Sequence, residues 1–175
     1  DQHELGELKR VVNSLLQNLD EYCNDGILVA ATNHQELLDN AVWRRFQYVI
    51  EMPRPGITEI KQMMGLLPDF LDLTQIKENQ WKKIYASMDG LSYSDIKSIN
   101  NSLSKKAVLS KKTGLTMEDI IGEVYQFNAH GNYTREDMAV FLLKSGVPKK
   151  RVSTYTGLSR RKTDQIAERI DENER

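Results

Sequence analysis

Two short apolar runs, both before Pro55, are the strand-like segments of this sequence. Residues 27–31 (ILVAA) follow an Asn-Asp-Gly turn signal, and residues 47–51 (QYVIE) end just before Pro53. A short, continuous apolar run bounded by turns is typical of a strand buried on both faces of a parallel sheet. Two such strands need further elements to cover their faces and edges. The segment 1–55 therefore predicts the end of an α/β domain.

Apolar residues at spacings of three and four predict helices in the rest of the chain. The spacing indicates an amphipathic helix over about 5–22 and a short helix over 36–45. Beyond Pro55 it predicts helices over 58–67, 79–88, 92–109 and 116–127. Two of these begin with a hydroxyl residue followed by an aspartate three positions later, close to a capping box. The fold class expected is an α/β segment followed by an all-α part, mostly α overall.

Composition excludes several classes of protein. The 175 residues have a net charge of −1, and Cys23 is the single cysteine, so an internal disulfide and a cysteine-based zinc site are excluded. The three histidines have no metal-ligand spacing, and we expect no metal site. No apolar run approaches the ~18 residues of a membrane span, and the first residues are unlike a signal peptide. We expect a soluble, cytoplasmic protein without a membrane partner.

Residues 28–54 carry the most specific pattern in the chain. The first predicted strand ends in Thr32-Asn33, and ligands of open α/β sheets lie outside the carboxyl ends of strands. Asn33 is therefore placed to offer its amide to a ligand or an attacking water. The following helix ends in Arg44-Arg45, and arginine suits planar, bidentate phosphate recognition. Adjacent helix residues do not share a face, so the two arginines are expected to meet different partners.

These residues resemble the second region of homology of AAA-type ATPases. That region has an apolar strand ending in A-T-N, a D-x-A-[LIV] helix and an arginine run before Phe; here the three parts are residues 31–33, 39–42 and 44–46. Residues 90–95 (GLSYSD) resemble the lid motif of the family, with Tyr93 in place of its usual glycine. The resemblance covers roughly residues 5–127. It implies the C-terminal part of a P-loop-type core over 1–55 and a helical lid over 56–127.

The resemblance also implies roles for individual residues. Asn33 would be the sensor-1 residue, which positions the attacking water. Arg44 and Arg45 would be arginine fingers that act on ATP held by a neighbouring subunit. The lid motif would contribute residues near the adenine: Gly90, Ser92, Ser94 and Asp95. ATP and Mg²⁺ are the implied cofactors, and neighbouring subunits of a homo-oligomeric ring are the implied partners.

Two elements of such an ATPase are missing from the sequence. No G-x-x-x-x-G-K-[ST] phosphate-binding loop is present, and no apolar strand ending in paired acids precedes the first helix. We therefore expect the sequence to be the C-terminal part of a longer ATPase. By itself the chain is expected neither to hydrolyse ATP nor to bind a cofactor tightly.

The segment 134–175 differs in charge from the rest. It holds 10 basic and 7 acidic side chains, whereas residues 1–133 hold 14 basic and 18 acidic ones. Residues 128–133 (NAHGNY) are the predicted linker. Three short helices follow, and Gly157 lies in a tight turn between the last two, which resembles the helix-turn-helix of resolvases. Six basic residues suit contact with duplex DNA: Lys149, Lys150, Arg151, Arg160, Arg161 and Lys162.

Two functions stay open at this point. The first is an AAA ATPase that works as a ring to remodel a protein or nucleoprotein partner, with a DNA-binding tail. The second is a DNA-binding adaptor in which nucleotide only controls assembly. In either case the three-helix tail could instead be a packing module that binds another protein. The sequence identifies neither the remodelled substrate nor a DNA sequence.

Overall fold

The structure, a computed structural model, describes residues 10–11, 14, 17–18, 26–38 and 40–173. The chain divides into two compact units, residues 1–52 and residues 53–175. Most of the predicted helix over 5–22 lies outside the described residues, although residues 10, 11, 14, 17 and 18 are helical. No helix in the described part of the chain is both long and apolar enough to cross a lipid bilayer.

The predicted helix over 36–45 is instead two short pieces. Gln35–Leu37 forms a 3₁₀ turn, and α1 covers Asn40–Trp43. The break falls at Leu38, whose backbone is extended (φ −93°, ψ 128°). Because an extended residue cannot continue the hydrogen-bond pattern of a helix, the single helix expected from the sequence is wrong here.

The two predicted strands are not strands among the described residues. Segments 27–31 and 47–51 are irregular, and no described residue pairs with either of them. Their apolar side chains are exposed, with Ile27 at 91%, Val29 at 82% and Ile50 at 81% of full exposure. A β-strand exists only through hydrogen bonds to a neighbouring strand, and neither segment has one among the residues described. The α/β character of the segment 1–55 therefore remains a prediction.

Helices make up the second unit, and the sequence located each of them within a few positions. They are α2 (Ile57–Met64), α3 (Glu78–Ser87), α4 (Tyr93–Leu109), α5 (Met117–Asn128), α6 (Arg135–Lys144), α7 (Lys149–Thr156) and α8 (Arg160–Asn173). The expectation of a mostly helical chain is confirmed for the described residues.

Three of these helices begin with the same capping arrangement, a hydroxyl residue and an aspartate three positions later: Ser92 with Asp95, Thr116 with Asp119, and Thr134 with Asp137. In each pair the carboxylate accepts a hydrogen bond from the backbone N–H of the cap residue. The hydroxyl oxygen accepts one from the N–H of the aspartate. These reciprocal bonds satisfy backbone donors that a helix N-terminus leaves unpaired, so the starts of α4, α5 and α6 are set locally.

One hydrophobic core runs through the second unit. It extends from Ile60 in α2 to Ile166 in α8 and includes Ile120 and Val124 of α5. Helix α5 packs against α3 and α4 on the lid side and against α6 and α7 on the tail side. The tail therefore shares buried side chains with the predicted lid and is not joined to it through the segment 128–133 alone. The division into separate domains over 56–127 and 134–175 remains a prediction.

Candidate functional site

Asn33, the predicted sensor residue, lies at a bend just before the 3₁₀ turn and is exposed. The preceding Thr32 accepts a hydrogen bond through Oγ1 from the N–H of His34, at 2.9 Å. His34 Nδ1 lies 3.2 Å from Glu36 Oε1, and backbone and His34 hydrogen bonds lower the pKa of Glu36. The Asn33 side chain forms no hydrogen bond among the described residues. Its amide is therefore available to a ligand or a water.

Arg44 and Arg45 follow α1 directly, and both are exposed. The guanidinium of Arg45 donates a hydrogen bond through Nη1 to the carbonyl of Ala41, at 2.8 Å. A cation at the C-terminal turn of a helix meets the negative end of the helix dipole, so this position is favourable for Arg45. Arg44 forms no ion pair within the described part of the chain. The two guanidiniums therefore have different surroundings among the described residues, and the different partners expected for them remain a prediction.

Arg54 lies beside the lid motif, where Gly90, Ser92 and Asp95 are close together. Gly90 has a φ of +77°, which favours glycine, and its carbonyl accepts a hydrogen bond from Arg54 Nη1. Hydrogen bonds from Ser92, with the charge of Arg54 as a smaller cause, lower the pKa of Asp95. Arg54 is not among the residues selected from the sequence. Its position between two prolines, Pro53 and Pro55, is the feature that could have indicated it.

The polar groups of the lid motif are mostly engaged within the protein. Ser92 and Asp95 bind each other in the capping box of α4. The carbonyl of Ser94 accepts a hydrogen bond from Ser98 Oγ at 2.9 Å, while the residue itself is exposed. In this structure, Ser92 and Asp95 therefore cap the N-terminus of α4. A contact of the motif with adenine remains a prediction.

The predicted helix-turn-helix consists of α6, α7 and α8, which pack against one another. Gly157, at φ +71°, makes the turn between α7 and α8, and Ser159 Oγ accepts a hydrogen bond from the N–H of Lys162 at 3.3 Å. Thr156, near the end of α7, is a buried polar residue. Its hydroxyl donates to the carbonyl of Val152 at 2.8 Å, so burial leaves this group paired.

The six basic residues of the tail fall into two groups of three. The first group forms ion pairs with carboxylates: Lys149 with Asp164 at 3.6 Å, Arg151 with Glu118 at 3.3 Å, and Lys162 with Glu136 at 3.0 Å. The second group is Lys150, Arg160 and Arg161. These three side chains form no ion pair with any described residue, and all three residues are exposed.

Comparison with known proteins supports the resemblance to AAA ATPases. Residues 1–54 match the model of the AAA family, described as ATPases associated with various cellular activities. An AAA family ATPase named y4kL, from Sinorhizobium fredii, is 31% identical over 123 residues, which cover 68% of this chain and 35% of the relative. The similarity to relatives therefore extends well beyond the segment matched by the family model.

Two further relatives carry functional names. A proteasome-activating nucleotidase from Saccharolobus solfataricus is 28% identical, over 72% of this chain and 33% of its own length. The human ATP-dependent zinc metalloprotease YME1L1 is 29% identical, over 64% of this chain and 15% of its own length. No solved structure matches the chain significantly. The chain spans about a third of the first two relatives, 35% and 33% of their lengths.

Proposed function

We propose that this chain is part of an AAA ATPase that hydrolyses ATP between the subunits of a ring and remodels a protein or nucleoprotein partner. The observation that carries the proposal is the ordered set of motifs in residues 1–54, the segment that matches the AAA family. Within it, exposed Asn33 and the exposed pair Arg44-Arg45 are the residues we assign to catalysis.

The described residues suit one side of an ATP site. Guanidiniums at Arg44 and Arg45 and an amide at Asn33 can bind and orient phosphate oxygens or water. The sequence offers neither a phosphate-cradling loop nor an apolar strand ending in paired acids to hold Mg²⁺. ATP supplies the free energy for remodelling. The arginines of this chain would add positive charge at phosphates bound by a neighbouring subunit.

The test is Arg45→Ala in the full-length protein. Loss of an arginine finger acts mainly on the transition state, so turnover should fall by about 10³-fold or more while ATP affinity stays nearly unchanged. Arg169→Ala, which removes an exposed arginine in α8, is the matched control and should hydrolyse ATP normally. Residues 1–175 alone should show no turnover.

A mixing experiment tests whether Arg45 acts across a subunit boundary. Subunits carrying Arg45→Ala are combined with subunits whose phosphate-binding loop is inactivated. Each inactive partner then contributes the part that the other lacks, so some turnover should return. Normal hydrolysis by the single variant, or a loss of ATP affinity equal to its loss of rate, contradicts the assignment.

A second function, duplex DNA binding by the tail, is supported by the charge at two helix starts. Helices α2 to α6 each carry an acidic residue in the first turn, whereas α7 and α8 carry none and begin with three cations each. Cations there oppose the helix dipole, so they cost helix stability. An external polyanion would offset that cost. Binding of the whole chain to duplex DNA that weakens steeply with salt is the expected result.

The adaptor alternative differs in what ATP does. If nucleotide only controls assembly, ATP binding changes the oligomeric state of the full-length protein without turnover. Sedimentation with ATP, together with a hydrolysis assay with and without DNA, separates the two proposals.

A further inference from the structure

We propose that Lys150, Arg160 and Arg161 contact the phosphates of duplex DNA, and that Asp164 is an internal competitor that holds Lys149 away from the duplex. This inference rests on the proposed DNA binding of the tail. The six basic side chains differ in whether they already form an ion pair in the folded protein, and we assign a different role to each group.

Asp164 lies within the cationic surface. Its Oδ1 is 3.6 Å from Lys149 Nζ, which links the first turn of α7 to the second turn of α8. Arg160 and Arg161 precede Asp164 by four and three positions, so Asp164 is a neighbour of each of them on the surface of α8. The carboxylate thus lies next to the two arginines and neutralises the neighbouring lysine.

The Lys149–Asp164 pair contributes little to the fold, so its removal should leave the tail folded. Both side chains are about half exposed, at 52% and 54%, and exposed ion pairs contribute little to stability. Asp164 also repels any phosphate that approaches Arg160 or Arg161. Removal of the Asp164 carboxylate therefore frees Lys149 and removes the repulsion of phosphates. Both changes favour DNA binding.

The other two ion pairs engage Arg151 and Lys162 with carboxylates of neighbouring helices. Arg151 joins α7 to Glu118 in α5, and the Glu118 side chain is only 13% exposed. Lys162 joins α8 to Glu136 in α6 at 3.0 Å. Because the Glu118 carboxylate is largely buried, loss of Arg151 would leave it without its partner, so Arg151 serves the fold. Lys162 is engaged by Glu136 of another helix. The three cations without a described ion pair are available to phosphates.

The experiment measures binding of residues 1–175 to a labelled DNA duplex between about 50 and 200 mM salt. Three phosphate contacts give a log–log slope of about −2.7, which is an affinity loss of about 40-fold over that range. For Asp164→Asn we expect a fourth contact, a slope of about −3.6 and tighter binding at the lowest salt.

Glu168→Gln is the matched control for Asp164→Asn. It removes the same charge one turn further along α8, where Glu168 forms no ion pair with a described residue. The control should leave the slope near about −2.7, because no cation is released. If the two variants behave alike, Asp164 is not a competitor.

Substitutions of the basic residues test which of them contact DNA and which only form ion pairs within the protein. Lys150→Gln, Arg160→Gln and Arg161→Gln should each flatten the slope by about 0.9. Arg151→Gln should leave the slope unchanged and lower the melting temperature, which thermal unfolding of every variant records. An equal flattening by Arg151→Gln overturns the inference but not DNA binding. Absence of duplex binding at the lowest salt, or equal affinity for polyglutamate, overturns both.

Discussion

Gly122 in α5 and Tyr155 in α7 approach each other so closely that no side chain fits between them. A Cβ atom at Gly122 would overlap the hydroxyl oxygen of Tyr155 and lie 2.7 Å from its Cζ. Burial, followed by the nearby charges of Asp119 and Glu123, raises the pKa of the Tyr155 hydroxyl. The Tyr155 hydroxyl therefore stays neutral at physiological pH, and its ring packs α7 against α5.

This contact predicts that replacing Gly122 by alanine destabilises the protein, which is the opposite of the usual effect in a helix. Glycine to alanine inside a helix normally stabilises it by up to about 1 kcal/mol. Here Gly122→Ala should destabilise the protein by about 1–3 kcal/mol, because the new methyl group overlaps the Tyr155 ring. In a Tyr155→Ala background the same change should become stabilising. Urea unfolding of the four proteins measures the coupling, and additive effects would contradict the contact.

At the scale of the element, the capping boxes make helix stability depend on pH. Hydrogen bonds from the hydroxyl and the backbone of Thr134 lower the pKa of Asp137, and those from Ser92 do the same for Asp95. A carboxylate whose folded-state pKa is lowered contributes stability above its unfolded pKa, about 3.9 for Asp. That stability is lost as the pH falls through the lower, folded-state pKa.

We therefore expect the free energy of unfolding to fall below about pH 4 partly through these two aspartates. Asp137→Asn should lower stability at pH 7 and flatten the fall in acid. Thr134→Ala should cost about 1 kcal/mol at pH 7, because the hydroxyl acceptor is lost. Chemical denaturation from pH 2.5 to 7 measures both. Asp171→Asn, near the end of α8, is the control, and an identical acid profile for Asp137→Asn and the control rules the effect out.

At the scale of the whole molecule, the shared core predicts that the lid and the tail unfold together. Leu142 of α6 is fully buried and belongs to the same hydrophobic cluster as Ile99 and Leu103 of α4. Leu142→Ala should destabilise the unit by about 2–5 kcal/mol through lost burial and a cavity.

Hydrogen exchange shows how far that destabilisation spreads. If residues 53–175 unfold as one, amides of α4 and α7 lose protection by the same factor in Leu142→Ala. Lys144→Ala, an exposed change in the same helix, should leave both unaffected. Unchanged protection in α4 would show that the segments 56–127 and 134–175 are independent domains, as their sequences suggested.

Most of the helical architecture could be predicted from the sequence because its signals are local. The capping boxes at Ser92 and Thr116 each join residues three positions apart. Gly157 ends α7 because glycine readily adopts the left-handed backbone conformation found there. The motif at Asn33 and Arg44-Arg45 is equally local, and comparison with relatives supports the family that it indicates.

By itself, the sequence determined where the helices of the second unit begin and end and where its basic residues lie, because those features depend on neighbours three or four positions away. Only the tertiary structure decided which of those cations already have a partner, since Arg151 meets a carboxylate 33 positions away and Arg54 a carbonyl 36 positions away. The segments 27–31 and 47–51 show the same limit. An apolar run becomes a strand only when another strand pairs with it, and that pairing is a property of the assembled sheet.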